Sequence, residues 1–174
     1  VPVKGDKKHL LKMASENAEQ FFLAKGEREW DGGQLLEDLK IKLHLKRVPF
    51  RIEAFDISNF QGGNAVGSMV FFRDGKPDKL GYRHFKIQSV EGADDTGMMY
   101  EVLLRRYRKA VEKKDFPDLV LLDGGRGQLN VAQEVFRELN IAEVDLISLA
   151  KERTVPGSRL SELRKTEEKV FHPQ

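Results

Sequence analysis

The sequence predicts one α/β domain: a mixed five-stranded sheet with flanking helices, preceded by two helices. Two observations carry this. Three short strand-like runs with turn-rich links follow one another, and a later stretch alternates continuous apolar runs with amphipathic helical spacing. At 174 residues and 40% hydrophobic content, the chain is long enough for one full core and short for two.

Taken in order, Leu10, Leu11, Ala14, Ala18, Phe21 and Phe22 recur at three- and four-residue steps, predicting a first helix from about Lys7. After Asp31-Gly32-Gly33, read as a break, Leu35, Leu36, Leu39 and Leu43 predict a second, which Pro49 stops. Residues 51–58, 66–72 and 82–87 read as strands. Gln61-Gly62-Gly63-Asn64 and Asp74-Gly75-Lys76-Pro77 are short enough to join them as an antiparallel meander. Residues 96–113 form a helix with a stripe of Met98, Met99, Val102, Leu103 and Ala110. A βαβ unit follows, with buried strands at 119–122 and 144–149 around a helix at 127–139. The resulting order, β-β-β-α-β-α-β, is that of the RNase H-like fold. The expected organisation is a helical lead-in over 1–49, a core over 50–152, and a mobile charged segment over 153–174 with the domain truncated.

Charged residues make up 33% of the chain but nearly cancel, leaving a formal +2, so attraction to a polyanion has to come from local clusters. The absence of cysteine excludes disulfides and thiolate metal sites, and no apolar run reaches the ~20 residues that span a bilayer. The basic opening lacks a secretory pattern, so the expectation is a soluble cytoplasmic protein without membrane contact.

Two acids interrupt apolar strands. Asp56 lies in Phe55-Asp56-Ile57-Ser58, on the face of Ile52 and Ala54, and Asp123 ends Leu119-Val120-Leu121-Leu122 just before Gly124-Gly125. Taken singly, each fits an ordinary role: Asp123 as a helix cap, Asp56 as partner of a buried arginine. Taken together on neighbouring strands, their repulsion is relieved by a shared cation, and hard oxygen donors select Mg2+ or Mn2+. Such an ion activates water and stabilises charge on a scissile phosphate, which points to phosphodiester hydrolysis. Asp95, in Glu91-Gly92-Ala93-Asp94-Asp95, is either a helix cap or an outer member of that site.

Cations supply the candidate DNA contacts. Arg126 and Gln128 stand at the glycine-opened helix start, where backbone amides favour anions. Arg105, Arg106, Arg108, Lys109, Lys113 and Lys114 form a helical band interrupted by Tyr107, either a phosphate track or a solvated face. Tyr82, Arg83, His84 and Lys86 alternate along the third strand, either as a basic sheet edge or as an ordinary solvent-facing strand, and Lys151 follows the last strand, either approaching the acids or standing as a strand-end surface lysine.

The ordered motifs Arg51-Ile52-Glu53-Ala54-Phe55-Asp56-Ile57-Ser58, Gly67-Ser68-Met69-Val70, Tyr82-Arg83, Asp94-Asp95, Arg105-Arg106-Tyr107, Pro117-Asp118-Leu119, Leu122-Asp123-Gly124-Gly125-Arg126-Gly127-Gln128-Leu129 and Leu149-Ala150-Lys151-Glu152 resemble the UvrC family across most of the chain. The resemblance implies the C-terminal RNase H-like nuclease domain of bacterial nucleotide excision repair. That domain makes the 5′ incision in damaged double-stranded DNA, in a protein that acts with UvrB through a segment outside this chain. It further implies that Asp56 and Asp123 are catalytic and metal-binding, with Asp95 a third catalytic acid. Two departures are visible. The family's later Arg-Asp-Glu-Ala-His motif does not occur before Gln174, His172 standing instead in Val-Phe-His-Pro, and Asn59 takes the place of a histidine frequent after Asp-Ile-Ser. An isolated fragment inactive for want of that histidine, and a catalytically silent RNase H-like DNA-binding or scaffold module, are the readings these departures leave open.

Overall fold

The computed structural model describes residues 32–60, 64–90, 92, 94–151 and 168–173. The first lead-in helix expected from the sequence lies outside them. The described chain opens with α1 (Gly32–Lys42), and the antiparallel strands β1 (Arg51–Phe60), β2 (Asn64–Arg73), β3 (Lys76–Pro77) and β4 (Arg83–Lys86) follow. Then come α2 (Asp95–Lys113), β5 (Leu119–Asp123), α3 (Arg126–Glu138), β6 (Asp145–Lys151) and β7 (Glu168–Phe171). The sheet runs β3-β2-β1-β5-β6-β7, with β4 also paired to β2. Pairs β1–β2 and β6–β7 are antiparallel, whereas β1–β5 and β5–β6 are parallel.

This is the expected mixed sheet with its helices, corrected from five strands to seven. Both additional strands were too weak to read. Lys76–Pro77 is two residues long and carries no alternation, and Glu168–Phe171 lies in a charged stretch. β7 is held through its ladder to β6, with Phe171 opposite Ser148. The turn into β3 is tight because Asp74 (φ 51) and Gly75 (φ 75) both take positive φ, the twist that suits a two-residue hairpin. A second correction concerns α1, which begins at Gly32, so the Gly32-Gly33 pair opens the helix rather than breaking the chain before it.

Alternation along β1 sorts the core into two layers. On one face Phe55 and Met69 pack with Val102, Leu103 and Tyr107 of α2 and with Leu129, Val135 and Phe136 of α3. Tyr107, expected within the basic band, is instead fully buried and meets Phe136 edge-on at 4.8 Å. On the other face Leu45, Leu119 and Ile147 gather Leu39, Leu43 and Ile52, which seats α1 across the sheet. Its following loop is tied down where Asp145 accepts from the Lys46 amide at 2.8 Å and Asp118 pairs with Arg47 at 3.5 Å.

Two carboxylates are buried at positions that no sequence pattern marks. Glu53, 1% exposed, accepts from Arg106 and, at 2.9 Å, from the Tyr107 hydroxyl. Glu101, also buried, accepts from the amides of Gln88 and Ser89 at 3.0 and 2.8 Å and from Arg105 at 3.0 Å, anchoring the loop that leads into α2. Burial alone would raise the Glu101 carboxyl, but the Ser89, Gln88 and Arg105 donors outweigh it and hold it below its ordinary value.

Candidate active site

The two strand aspartates meet at one end of the sheet. The β1–β5 ladder ends at Phe55 opposite Leu122, and Asp56 and Asp123 are each the next residue. Their Cα atoms therefore stand on adjacent parallel strands about 5 Å apart. Both side chains are exposed, and both line a cavity of about 360 Å³ with Ala54, Leu121, Leu149 and Ala150. Low, apolar walls around two carboxylates strengthen their field at the mouth.

Neither aspartate takes up the ordinary role open to it in the sequence. Among the described residues Asp56 pairs with no arginine; its Oδ2 accepts from the Ser58 hydroxyl at 2.8 Å, and the buried arginine salt bridge belongs to Glu53. Asp123 does not cap α3, whose N-cap is Gly125 with no side-chain hydrogen bond. Ser58 escaped the sequence reading as a supporting residue, although the Asp-x-Ser spacing places it on the Asp56 face.

The turn after Asp123 is shaped by its glycines. Gly124 takes φ 148, and its amide donates to the Leu149 carbonyl at 2.8 Å. A Cβ there would lie 2.6 Å from the Gln128 side-chain carbon Cδ, so the Gln128 carboxamide folds into the space this glycine leaves. Arg126 opens α3 and its guanidinium lies 5.8 Å from the centre of the Phe171 ring, so β7 props this cation at the start of α3. The backbone of Lys151 ends β6 opposite Glu168, two residues past the partner of Asp123.

The start of α2 reaches the same end, since a Cβ on Gly127 would lie 3.6 Å from Thr96. Asp94, not Asp95, caps α2: it accepts from the Gly97 amide at 2.9 Å and the Thr96 hydroxyl at 2.7 Å, and these bonds, the Gly97 amide first, hold its carboxyl below its ordinary value. Asp95 is the first helical residue. Among the described residues no group of three or more histidine, cysteine or acidic side chains is placed to hold a metal ion. Asp56 and Asp123 offer hard oxygen donors at this mouth, a chemistry that suits a magnesium-like ion keeping several of its waters.

The remaining candidates lie elsewhere. Arg105 pairs with Glu101 at 3.0 Å and Arg108 with Glu138 at 3.3 Å, and Lys109 lines a groove toward the far end of α2. His172 lines a cavity with His44 and Asp145, by the opposite ends of β5 and β6. His84 shares a cross-strand row with Ser68 and Asp56, a placement that the β2 register alone decides. No helix among the described residues is long and apolar enough to cross a membrane.

The UvrC RNAse H endonuclease domain model matches residues 40–174. UvrABC system protein C of Geobacter metallireducens is 49% identical over 172 residues, covering 99% of this chain and 28% of that protein. The protein of the same name from Syntrophus aciditrophicus is 46% identical over 173 residues, again 99% and 28%. This chain therefore spans little more than a quarter of the length of these relatives. Among solved structures, Ciona intestinalis Endonuclease V in complex with a 24mer DNA containing an inosine followed by a ribo-adenosine aligns with TM-score 0.44 and 18% identity, over 66% of this chain and 51% of that one. The catalytic domain of human Endonuclease V aligns with TM-score 0.45 and 15% identity, over 71% and 59%. With an RNase H-like α/β architecture and a family match over most of its length, the chain belongs to the UvrC RNase H endonuclease domain family.

Proposed function

We propose that this domain is a metal-dependent DNA endonuclease that makes the 5′ incision at damaged double-stranded DNA, within a larger excision-repair protein acting with UvrB. The observation that carries the proposal is the convergence of Asp56 and Asp123 at the ends of neighbouring strands, with neither committed to a cap or a salt bridge among the described residues. Asp56 and Asp123 would hold Mg2+ or Mn2+, which when bound lowers the pKa of water and offsets charge on a phosphate. Ser58 fixes one Asp56 oxygen by donating to it, so the carboxylate is oriented before substrate arrives. Arg126 and the first amides of α3 supply the positive end of a helix to a backbone phosphate, and Gln128, folded over Gly124, presents its carboxamide at the same mouth. Lys151, by its position at the end of β6, is a further candidate DNA contact, and Asp95 is a third catalytic acid. Arg105, Arg108 and Lys109, read in the sequence as further DNA contacts, lie away from this mouth, and the ion pairs of the two arginines compete with that role.

The test is incision of a pre-nicked, lesion-bearing duplex by the complete repair complex, with the full-length protein carrying native Asp123 or Asp123→Asn, in magnesium or manganese. Selective loss of the 5′ cut with folding retained is expected. Undiminished cutting would make the pair structural and favour a silent DNA-binding or scaffold module.

A further inference from the structure

A second concave surface lies on the opposite sheet face, between the C-terminal half of α2 and strands β2 and β4, with a volume of about 430 Å³. From Arg51, which lines it, to Asp56 is five residues of extended chain, about 17 Å. Seven cations and three acids line this groove, in a protein whose overall charges nearly cancel. The acids are already engaged: Asp115 by Arg51, Glu53 by Arg106, and Asp78 by Arg73 at 3.2 Å. Arg51, Arg73, Arg105 and Arg106 are spent on these acids and on Glu101, which leaves Lys109 and Lys113 without an ion pair among the described residues. A groove with surplus donors and satisfied acids is built for an anion.

Its shape selects the kind of anion. Arg105, Lys109 and Lys113 succeed one another at four-residue steps along one side of α2, about 6 Å apart. Alternate side chains of an extended peptide repeat at about 6.7 Å, so acids at every second position can meet this row. The facing wall is the tight turn Lys79–Gly81, where Leu80 is 88% exposed. That wall packs directly on the sheet, since a Cβ on Gly81 would come within 2.5 Å of the Phe71 ring. Single-stranded nucleic acid binds by stacking bases on open aromatic rings. Here Arg51 and Arg73 cover Phe71 at 5.7 and 5.4 Å, and Arg105 lies 5.9 Å from the centre of Phe85. A double helix presents its phosphates on a convex surface that a cavity of this size does not admit.

We propose that this groove docks an extended acidic segment of a partner protein, with its carboxylates on the α2 cations and an apolar side chain against Leu80. The proposal does not depend on the carboxylate site, and its assay involves no cutting. The probe is a fluorescein-labelled peptide of about ten residues that alternates glutamate and leucine, long enough to span the cation row. Its fluorescence anisotropy is titrated with this chain, with the double variant Lys109→Glu and Lys113→Glu, and with Leu80→Ser. Circular dichroism checks that these exposed substitutions leave the fold intact. Saturable binding is expected, weakened about tenfold or more by either variant. Unlabelled oligothymidylate of matched charge is expected not to displace the peptide. Absence of saturable binding, or equal binding by the variants, overturns the proposal. Displacement by oligothymidylate, with its own binding lost in the lysine variant, overturns it in favour of a nucleic-acid groove.

Discussion

Replacing Arg106 with leucine removes the only cation, among the described residues, bonded to the Glu53 carboxylate, which is 1% exposed. Glu53 then keeps a single neutral donor, the Tyr107 hydroxyl at 2.9 Å. Stripping one partner from a buried ion pair costs about 3–5 kcal/mol, because the remaining charge has neither water nor countercharge. For a chain of this size each kcal/mol lowers the midpoint of thermal unfolding by roughly 2–4 °C, so the expected drop is on the order of 6–20 °C. The same substitution made together with Glu53→Leu is expected to recover most of that loss, since an apolar pair of similar volume replaces an ionic one. Urea titration of the native protein, both single variants and the double variant reads the coupling directly. A loss under about 1 kcal/mol for Arg106→Leu, or a double variant as damaged as the sum of the singles, would refute the claim that Glu53 depends on this arginine.

Arg108→Ala, by contrast, breaks an exposed pair with Glu138 and is expected to leave the unfolding midpoint unchanged in the same titration. Ser58→Ala frees Asp56 from its 2.8 Å donor; the expected result is an incision rate lowered by about tenfold with the fold intact, and an unchanged rate would remove Ser58 from the site. Gly124→Ala is expected to slow incision and to destabilise the fold by about 1–3 kcal/mol, because it forces a side chain into φ 148 and into the Gln128 carboxamide. The Glu101 and Asp115 carboxyls are held below their ordinary values of 4.5 and 3.8, the latter chiefly by the Arg51 hydrogen bond. Groups depressed on folding contribute stability that is present above the unfolded value and lost as pH falls through the folded one. Stability measured by urea unfolding is therefore expected to decline as pH drops below about 4.5, less steeply in Glu101→Gln.

Periodicity by itself determined the type and order of the main elements, because an amphipathic helix and a buried strand each need a particular local spacing. Met98, Met99, Val102, Leu103 and Ala110 are all buried in α2, as their spacing requires. The two aspartates were legible for the same reason: Asp123 closes a wholly apolar run, and Asp56 falls on the otherwise apolar face of Ile52 and Ala54. What the pattern could not hold is pairing across the sheet. Strand register decided that Asp56 and Asp123 are neighbours, that β7 returns to place Phe171 under Arg126, and that His84 shares the Asp56 row. Glu53 shows the limit most plainly, for in sequence it is an ordinary charged residue of an alternating strand. Its burial is settled by Arg106 and Tyr107, more than fifty positions away, because a carboxylate leaves water only where distant donors have been folded around it.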